Sequence, residues 1–290
     1  MLKNIKGSFS LVDVSTQLSL LPNIIFIGVY TSVVYYIEYY IFRFDFMPGS
    51  TVFSLLGIVL GLLLVFRTNT AYERWWEGRK LWGQLLNSSR SLSIKLNAFV
   101  PEDNIKDREY FYQMISNYFF ATKEHLRKGV KMEELEETEP GVLKDLENYQ
   151  HVPNRIHSLI YQRINQLLSS KQISQEQLIV LDTQCNTMSD MVGGCERIKN
   201  TPIPTSYSKH LDRFVLLYTA ILPFGFMHDL GWWGVPTIMI IYFALEGIKA
   251  IGEEIEDPFG KDANDLPIDQ ICENVKASLK EILIKPVVSN

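Results

Sequence analysis

In one stretch of this sequence, a long apolar run is followed directly by basic residues, and this arrangement limits the possible folds. Residues 52–66 form a run of fifteen in which only Ser54 is polar, and Arg67 follows directly. The next thirteen residues carry three more basic side chains and a tryptophan pair, without a turn cluster: Arg74, Trp75, Trp76, Arg79 and Lys80. As a helix, residues 51–66 rise about 24 Å, so the chain reaches water near Arg67, whose side chain can snorkel. We therefore predict one helix that leaves lipid and enters protein, rather than a core strand followed by a separate surface element.

Four apolar segments are candidates for crossing a membrane, and they come in two pairs: residues 18–37 and 52–66, then 214–227 and 232–251. A bilayer-spanning helix needs about 20 largely apolar residues, so each segment is of marginal length. For any one of them, a buried helix of a soluble all-helical protein is the alternative. The mean hydropathy of +0.01 requires any spans to share the chain with a sizeable polar part.

The flanks of these segments favour membrane spans. Basic residues collect at the N-terminus, after the second segment and before the third, whereas the connectors 43–50 and 228–231 carry little positive charge. Tyrosine and tryptophan pairs stand at the segment ends, where a ring with a polar edge suits the headgroup layer. By the positive-inside tendency, we expect two helical hairpins with both termini and the long middle in the cytoplasm.

This pattern predicts an all-α membrane protein with four transmembrane helices, because the middle shows apolar residues at helical spacings and no convincing strand pair. The predicted parts are a cytoplasmic N-terminal segment (1–17), a first transmembrane hairpin whose second helix lines a pore (18–77), a helical cytoplasmic domain (78–210), a second transmembrane hairpin (211–251) and a cytoplasmic C-terminal segment (252–290). Glu246 and Lys249, three residues apart in the last span, are expected to pair. Such a pair keeps a proton-coupled transporter as a minor option.

Several function classes find no support in the sequence. The net charge of -5 without a basic stripe argues against a nucleic-acid partner. Three cysteines, at Cys185, Cys195 and Cys272, show no metal-binding spacing and are expected to be buried thiols in a reducing compartment. The five histidines form no HExxH pattern, and no nucleophile elbow, P-loop or dinucleotide fingerprint occurs. We therefore predict no enzyme, no catalytic residue and no required cofactor.

The second span carries an apolar stripe at helical spacing. Ile58, Leu62 and Phe66 stand four residues apart and lie along one slowly drifting face. Gly57 and Gly61 form a small-xxx-small pair beside the stripe, which lets a neighbouring helix approach and turns the stripe toward a shared axis. A ring of such side chains is a dewetting constriction of the kind that gates channels. The alternatives are a stripe that faces lipid and glycines that pack within one subunit.

Three longer motifs resemble the bestrophin family, specifically its bacterial branch. They are FSLLGIVLGLLLVFRTNTAYERWWEGRKLWG (53–83), GGCERI followed by TPIP (193–204), and EEIEDPFGKDANDLP (253–267), in the family's order. The resemblance implies a mostly helical homopentamer around a central pore, with a membrane neck of three hydrophobic rings and a wide cytoplasmic vestibule. By position, the neck residues are again Ile58, Leu62 and Phe66.

The resemblance also implies a function and a location. We expect a channel for monovalent ions in the bacterial inner membrane, with copies of itself and membrane lipids as partners. Animal bestrophins are calcium-activated anion channels and bacterial relatives conduct cations, so selectivity does not follow from the fold. The charge of -5 per copy favours cations if the acidic residues face the pore. The competing hypothesis is a membrane-anchored helical scaffold or sensor whose neck never conducts.

A second, cytoplasmic constriction also follows from the resemblance. In the family it is usually a small or branched apolar residue, and counting back from Gly193 places it at Glu176. A ring of five carboxylates would attract cations, and each carboxylate would raise the pKa of the others. A slip of one residue in this count makes Glu176 an ordinary surface residue.

The calcium clasp of animal relatives corresponds here to Asp257, Asp262 and Asp265. Calcium prefers such hard oxygen ligands, supplemented by backbone carbonyls. Lys261 and Ala263 depart from the family's acidic run, and Lys261 adds a repelling charge. The alternative to Ca²⁺ binding is a polar loop whose acids cap the helix that follows.

Overall fold

The computed structural model of the chain describes residues 19–42 and 50–284. Within these ranges the chain is helical and has no strand, as the sequence predicts. It divides into two compact units, which we call the apolar unit (residues 19–42, 50–75, 202–257 and 262–264) and the polar unit (76–201, 258–261 and 265–284). The predicted N-terminal segment 1–17, nearly all of the connector 43–50, and residues 285–290 lie outside the described residues.

Nine α-helices follow one another in the described ranges: α1 (Leu21–Tyr36), α2 (Ser50–Phe99), α3 (Ile105–His125), α4 (Val142–Leu146), α5 (Val152–Ser169), α6 (Gln175–Asn200), α7 (Thr205–Leu230), α8 (Gly234–Glu256) and α9 (Ile268–Leu283). A π-helical turn, Ile37–Phe42, extends α1, and 3-10 turns lie at Met132–Glu134 and Gly231–Trp233. The apolar unit contains α1, the first half of α2, α7 and α8, and the described parts of the four apolar segments lie in these helices and the helical turns next to them.

Three continuous helical stretches are long and apolar enough to cross a membrane: Leu21–Ile41, Thr51–Phe99 and Thr205–Glu256. The third contains both α7 and α8, which pack against each other on either side of a tight turn. Gly231 in that turn has φ +53°, a conformation that favours glycine. The structure therefore contains a helical hairpin where the second one is predicted, while the number of membrane crossings stays a prediction.

The core of the apolar unit lies between α1, α2, α7 and α8. Its buried side chains are Ile27, Phe53, Leu60, Leu64, Leu211, Val215, Tyr218, Leu222, Met227, Ile238 and Tyr242. The Tyr30 hydroxyl donates to the Ala220 carbonyl at 2.8 Å, and the Tyr35 ring meets Trp232 edge-on at 5.0 Å. The unit thus buries one face of each helix and leaves the other faces apolar and exposed.

The units divide at residues 75/76 and 201/202, whereas hydropathy places the corresponding boundaries at 77/78 and 210/211. The second difference has a local cause. Pro202 and Pro204 interrupt the chain, and α7 begins at Thr205. The first turns of α7 therefore belong to the apolar unit although their side chains are hydrophilic.

Helices of the polar unit begin at recognisable caps and bury regular apolar faces. Asn104 accepts a hydrogen bond from the Asp107 amide at the start of α3, and Ser174 and Gln177 form a capping box on α6. Packing links α9 to α3, α3 to α5, and α5 to α6. Cys185, Cys195 and Cys272 are free and buried, which confirms the expectation of buried thiols, and burial raises the pKa of each to about 12.

Candidate functional site

Helix α2 runs unbroken through the junction between Phe66 and Arg67, which confirms the prediction of a single helix. The expectation that Arg67 snorkels to water was wrong. Its side chain is only 4% exposed, with Nη1 3.4 Å from Oε1 of Glu253 and Nη2 3.3 Å from Oε2 of Glu256, both on α8. A buried guanidinium needs such partners, so two carboxylates take the place of water at the end of the oily segment.

Further hydrogen bonds fix the rotation of α2 within the apolar unit. The Arg74 Nε atom donates to the Glu256 carbonyl at 3.2 Å, and the Tyr207 hydroxyl donates to the Leu63 carbonyl at 2.9 Å. These contacts hold one face of α2 against α7 and α8. The opposite face therefore has a defined orientation, away from its own chain.

Ile58, Leu62 and Phe66 lie on that outward face. They are 62%, 54% and 62% exposed, whereas Leu60 and Leu64 on the inward face are buried. Further apolar residues flank the stripe and are also exposed: Leu55, Val59 and Val65. The three predicted neck residues thus share one exposed face and lie within a broader apolar band.

The two glycines beside the stripe have different surroundings. A Cβ atom at Gly57 would lie 2.7 Å from the Tyr218 hydroxyl, so Gly57 packs closely against α7 of its own chain. A Cβ atom at Gly61 would have no heavy atom within 4 Å. Gly57 therefore packs within its own subunit, which is the alternative given above. A contact between Gly61 and another copy stays a prediction.

Glu73 is a residue that sequence reasoning missed. It is exposed and follows Phe66 by seven residues, or two helical turns, so it continues the stripe about 10 Å further along α2. Seven-residue spacing from a proposed pore residue is the signal that would have found it. Along the outward face of α2, apolar side chains are therefore followed by a carboxylate.

The pair of Glu246 and Lys249 is confirmed, with Lys249 Nζ 2.8 Å from Glu246 Oε1. Asp212 of α7 is a second partner, at 3.0 Å from the same Nζ. Sequence reasoning missed Asp212 because it lies on a different helix, far from Lys249 in the chain. The ammonium group is thus held by two carboxylates within the apolar unit.

Glu176 lies in the first turn of α6 and is exposed. Its carboxylate accepts a hydrogen bond from the Ser174 hydroxyl at 2.6 Å, and this bond together with a backbone N–H lowers the pKa of Glu176 in the single chain. One turn further on, Ile179 is 63% exposed although it is apolar. A constriction at Glu176 stays a prediction, and the exposed branched side chain of Ile179 is a second candidate on the same helix.

Asp257 and Asp262 belong to the apolar unit, and Asp265 belongs to the polar unit. Asp257 is the residue at the C-cap position of α8, and Asp262 is exposed in the loop that follows. In the part of the chain that the structure describes, the group of three metal-ligand side chains whose donor atoms come within 4.8 Å of one another is His125, His151 and Glu196. Calcium binding by the three aspartates stays a prediction.

Comparison with known proteins places these features in context. The chain matches a family described as "Bacterial/Fungal Bestrophin protein" over residues 3–281. It is similar to a voltage-dependent anion channel-forming protein of Nostoc sp., with 41% identity over 230 residues that cover 78% of this chain and 75% of that protein. A protein of the same description from Synechocystis sp. is 41% identical over 234 residues, covering 79% and 76%. A crystal structure of a mutated bestrophin homologue from Klebsiella pneumoniae is 27% identical, covers 92% of this chain and 99% of that chain, and gives a TM-score of 0.85.

Proposed function

The chain belongs to the bacterial and fungal bestrophin family, and from this premise we propose that five copies assemble around one pore that conducts monovalent ions. The family consists of ion channels, so the chain is a channel protein and not an enzyme. The observation that carries the proposal is the exposure of Ile58, Leu62 and Phe66 on a helix whose opposite face is held by its own chain. In the assembly, this face turns to the axis and forms three successive hydrophobic rings.

Contacts within the chain keep this face on the outside of the apolar unit, as a shared axis requires. The inward contacts of Arg67, Arg74 and Tyr207 leave α2 no freedom to turn the stripe into its own core. Narrow rings of apolar side chains exclude water, and a small change in their diameter then switches conduction. The chain sits in the bacterial inner membrane with both termini in the cytoplasm, as the distribution of basic residues suggests.

For the ion selectivity of the channel there are two candidates, a preference for cations and a preference for anions. The relatives from Nostoc and Synechocystis are described as anion channel-forming proteins, which supports anions and gives no support to the cation preference expected from sequence. On this chain, Glu73 beyond the neck and Glu176 on α6 are exposed carboxylates, and rings of them would favour cations. We propose cation preference from these two residues, with anion preference as the alternative that the relatives favour.

Calcium binding by Asp257, Asp262 and Asp265 remains a separate proposal, for a bound state in which backbone carbonyls complete the ligand set. Isothermal titration of the purified protein with Ca²⁺ tests it, with Asp262→Ala as the comparison. Heat of binding that Asp262→Ala abolishes supports the clasp. A titration without heat in the unaltered protein ends the proposal.

Currents across planar bilayers test ion conduction at the neck. We expect Leu62→Ala to raise the conductance on the order of several-fold, because a shorter side chain widens the ring and lowers the dewetting barrier. Leu216→Ala is the matched control, since Leu216 is 65% exposed on α7 and outside the stripe. Equal currents from both variants and the unaltered protein would contradict the neck assignment. Silent bilayers for all three would favour the non-conducting scaffold.

A further inference from the structure

A cluster of metal-ligand side chains lies in the polar unit, apart from the proposed neck. His125 is the last residue of α3, His151 is the N-cap of α5, and Glu196 lies one turn before the end of α6. Three separate helices therefore deliver one ligand group each. We propose that these three residues bind a divalent transition-metal ion with the ligand preferences of zinc.

The Nε2 atoms of the two histidines lie close to the same carboxylate oxygen of Glu196. His125 Nε2 lies 2.8 Å from Glu196 Oε1, and His151 Nε2 lies 2.6 Å from the same oxygen. The two imidazole rings are 4.4 Å apart between centroids, so both nitrogens approach the carboxylate from the same side. The three side chains are 25%, 33% and 25% exposed, which leaves a path for an ion and a position for a water ligand.

Ligand chemistry selects the class of ion. Two imidazoles and one carboxylate form the ligand set of open zinc sites, in which water takes the fourth position. Calcium and magnesium prefer sites made of oxygen ligands, so two nitrogen donors disfavour them. The carboxyl end of α3, next to His125, adds a partial negative charge that favours a cation.

Metal binding requires a defined rearrangement of the metal-free cluster. Zinc–ligand bonds of about 2.0–2.1 Å in a tetrahedron separate the ligand atoms by about 3.3 Å, so both imidazoles must move away from Oε1, His125 by about 0.5 Å and His151 by about 0.7 Å. His151 Nδ1 accepts a hydrogen bond from the Asn154 amide at 3.2 Å, which places the imidazole proton on Nε2. An ion at Nε2 must displace that proton and break this cap. The metal-free cluster is therefore held by hydrogen bonds that metal binding would break.

An ion held by all three side chains would tie α3, α5 and α6 together. It binds the folded chain and not the unfolded one, so it raises the melting temperature of the protein. This inference does not depend on ion conduction, because the site lies wholly within the polar unit.

Titration of the purified full-length protein with Zn²⁺ tests the proposal, followed by calorimetry and thermal unfolding. We expect one Zn²⁺ per chain and at least about tenfold weaker binding in His125→Gln, His151→Asn and Glu196→Gln. His151→Asn removes the ligand but keeps a residue that caps helices, so its folding is protected. Co²⁺ serves as a second probe, because its visible absorption reports tetrahedral nitrogen and oxygen ligands.

His210→Gln is the matched control, since His210 is exposed and lies outside the cluster. It should bind Zn²⁺ as the unaltered protein does. Helicity and elution volume show that each variant is folded. Equal Zn²⁺ affinity in all variants, or no binding below millimolar Zn²⁺, would overturn the proposal.

Discussion

At the scale of single residues, the proposed cation preference rests on two exposed carboxylates. Glu73 lies on the exposed face of α2 beyond Phe66, and Glu176 lies in the first turn of α6. Five copies of either would place a ring of negative charge along the ion path, where the low dielectric of the protein walls strengthens its effect. The net charge of the chain carries less weight, because charge far from the pore is screened by salt.

We predict that Glu73→Gln and Glu176→Gln each lower the permeability of cations relative to anions, on the order of several-fold. Reversal potentials in asymmetric salt measure the ratio. Glu102→Gln serves as control, since Glu102 is exposed in the loop before α3. An unchanged reversal potential in Glu176→Gln rules out the constriction at that residue and directs attention to Ile179.

The position of a residue on a helix face could be predicted where it depends on spacing along one helix. The stripe of Ile58, Leu62 and Phe66 follows from four-residue spacing, and the structure places all three on one exposed face. The partners of Arg67 could not be predicted, because Glu253 and Glu256 lie 186 and 189 residues away in the chain.

The histidine cluster was missed for the same physical reason. Glu196 lies 71 residues from His125 and 45 from His151, so no local motif connects them. Only the packing of α3, α5 and α6 brings their side chains together.

At the scale of elements, one acidic residue adds ion pairs to the packing of α9 against α3 and the residues just after it. Asp269, in the first turn of α9, lies 2.7 Å from Arg127 Nη2 and 3.0 Å from Lys123 Nζ. The hydrogen bond from Arg127 lowers the pKa of Asp269 far below its usual range, with Lys123 adding to the effect against the opposing cost of burial. These two ion pairs thus hold α9 in addition to its buried apolar face.

We predict that Asp269→Asn lowers the melting temperature at pH 7 by about 1–4 °C, a modest change because the carboxylate is partly exposed. A depressed pKa contributes stability above the unfolded value of about 3.9, and this contribution is lost as pH falls through the folded value. The difference from the unaltered protein should stay constant above about pH 5 and shrink below about pH 4. Melting curves across this range measure it, and a difference that grows in acid would contradict the ion-pair account.

At the scale of the whole molecule, the central claim is that the outward face of α2 meets its own copies. The sequence predicts an all-helical chain with apolar helices beside a polar helical part, and both occur in the described residues. The sequence of one chain does not specify what covers an exposed apolar band, because lipid and another copy both accept Ile, Leu and Phe. Only the assembly distinguishes the two.

Cross-linking of Leu62→Cys in the reconstituted protein with a short bis-maleimide tests this claim most directly. The native thiols are buried with their pKa raised to about 12, so the unaltered protein provides a silent background. The proposed pore predicts covalent dimers of Leu62→Cys, because each chain carries one reactive thiol and the reagent joins two thiols. A Leu62→Cys protein that light scattering shows to be multimeric, but that remains monomeric after cross-linking and reacts with a lipid-soluble maleimide, would contradict it.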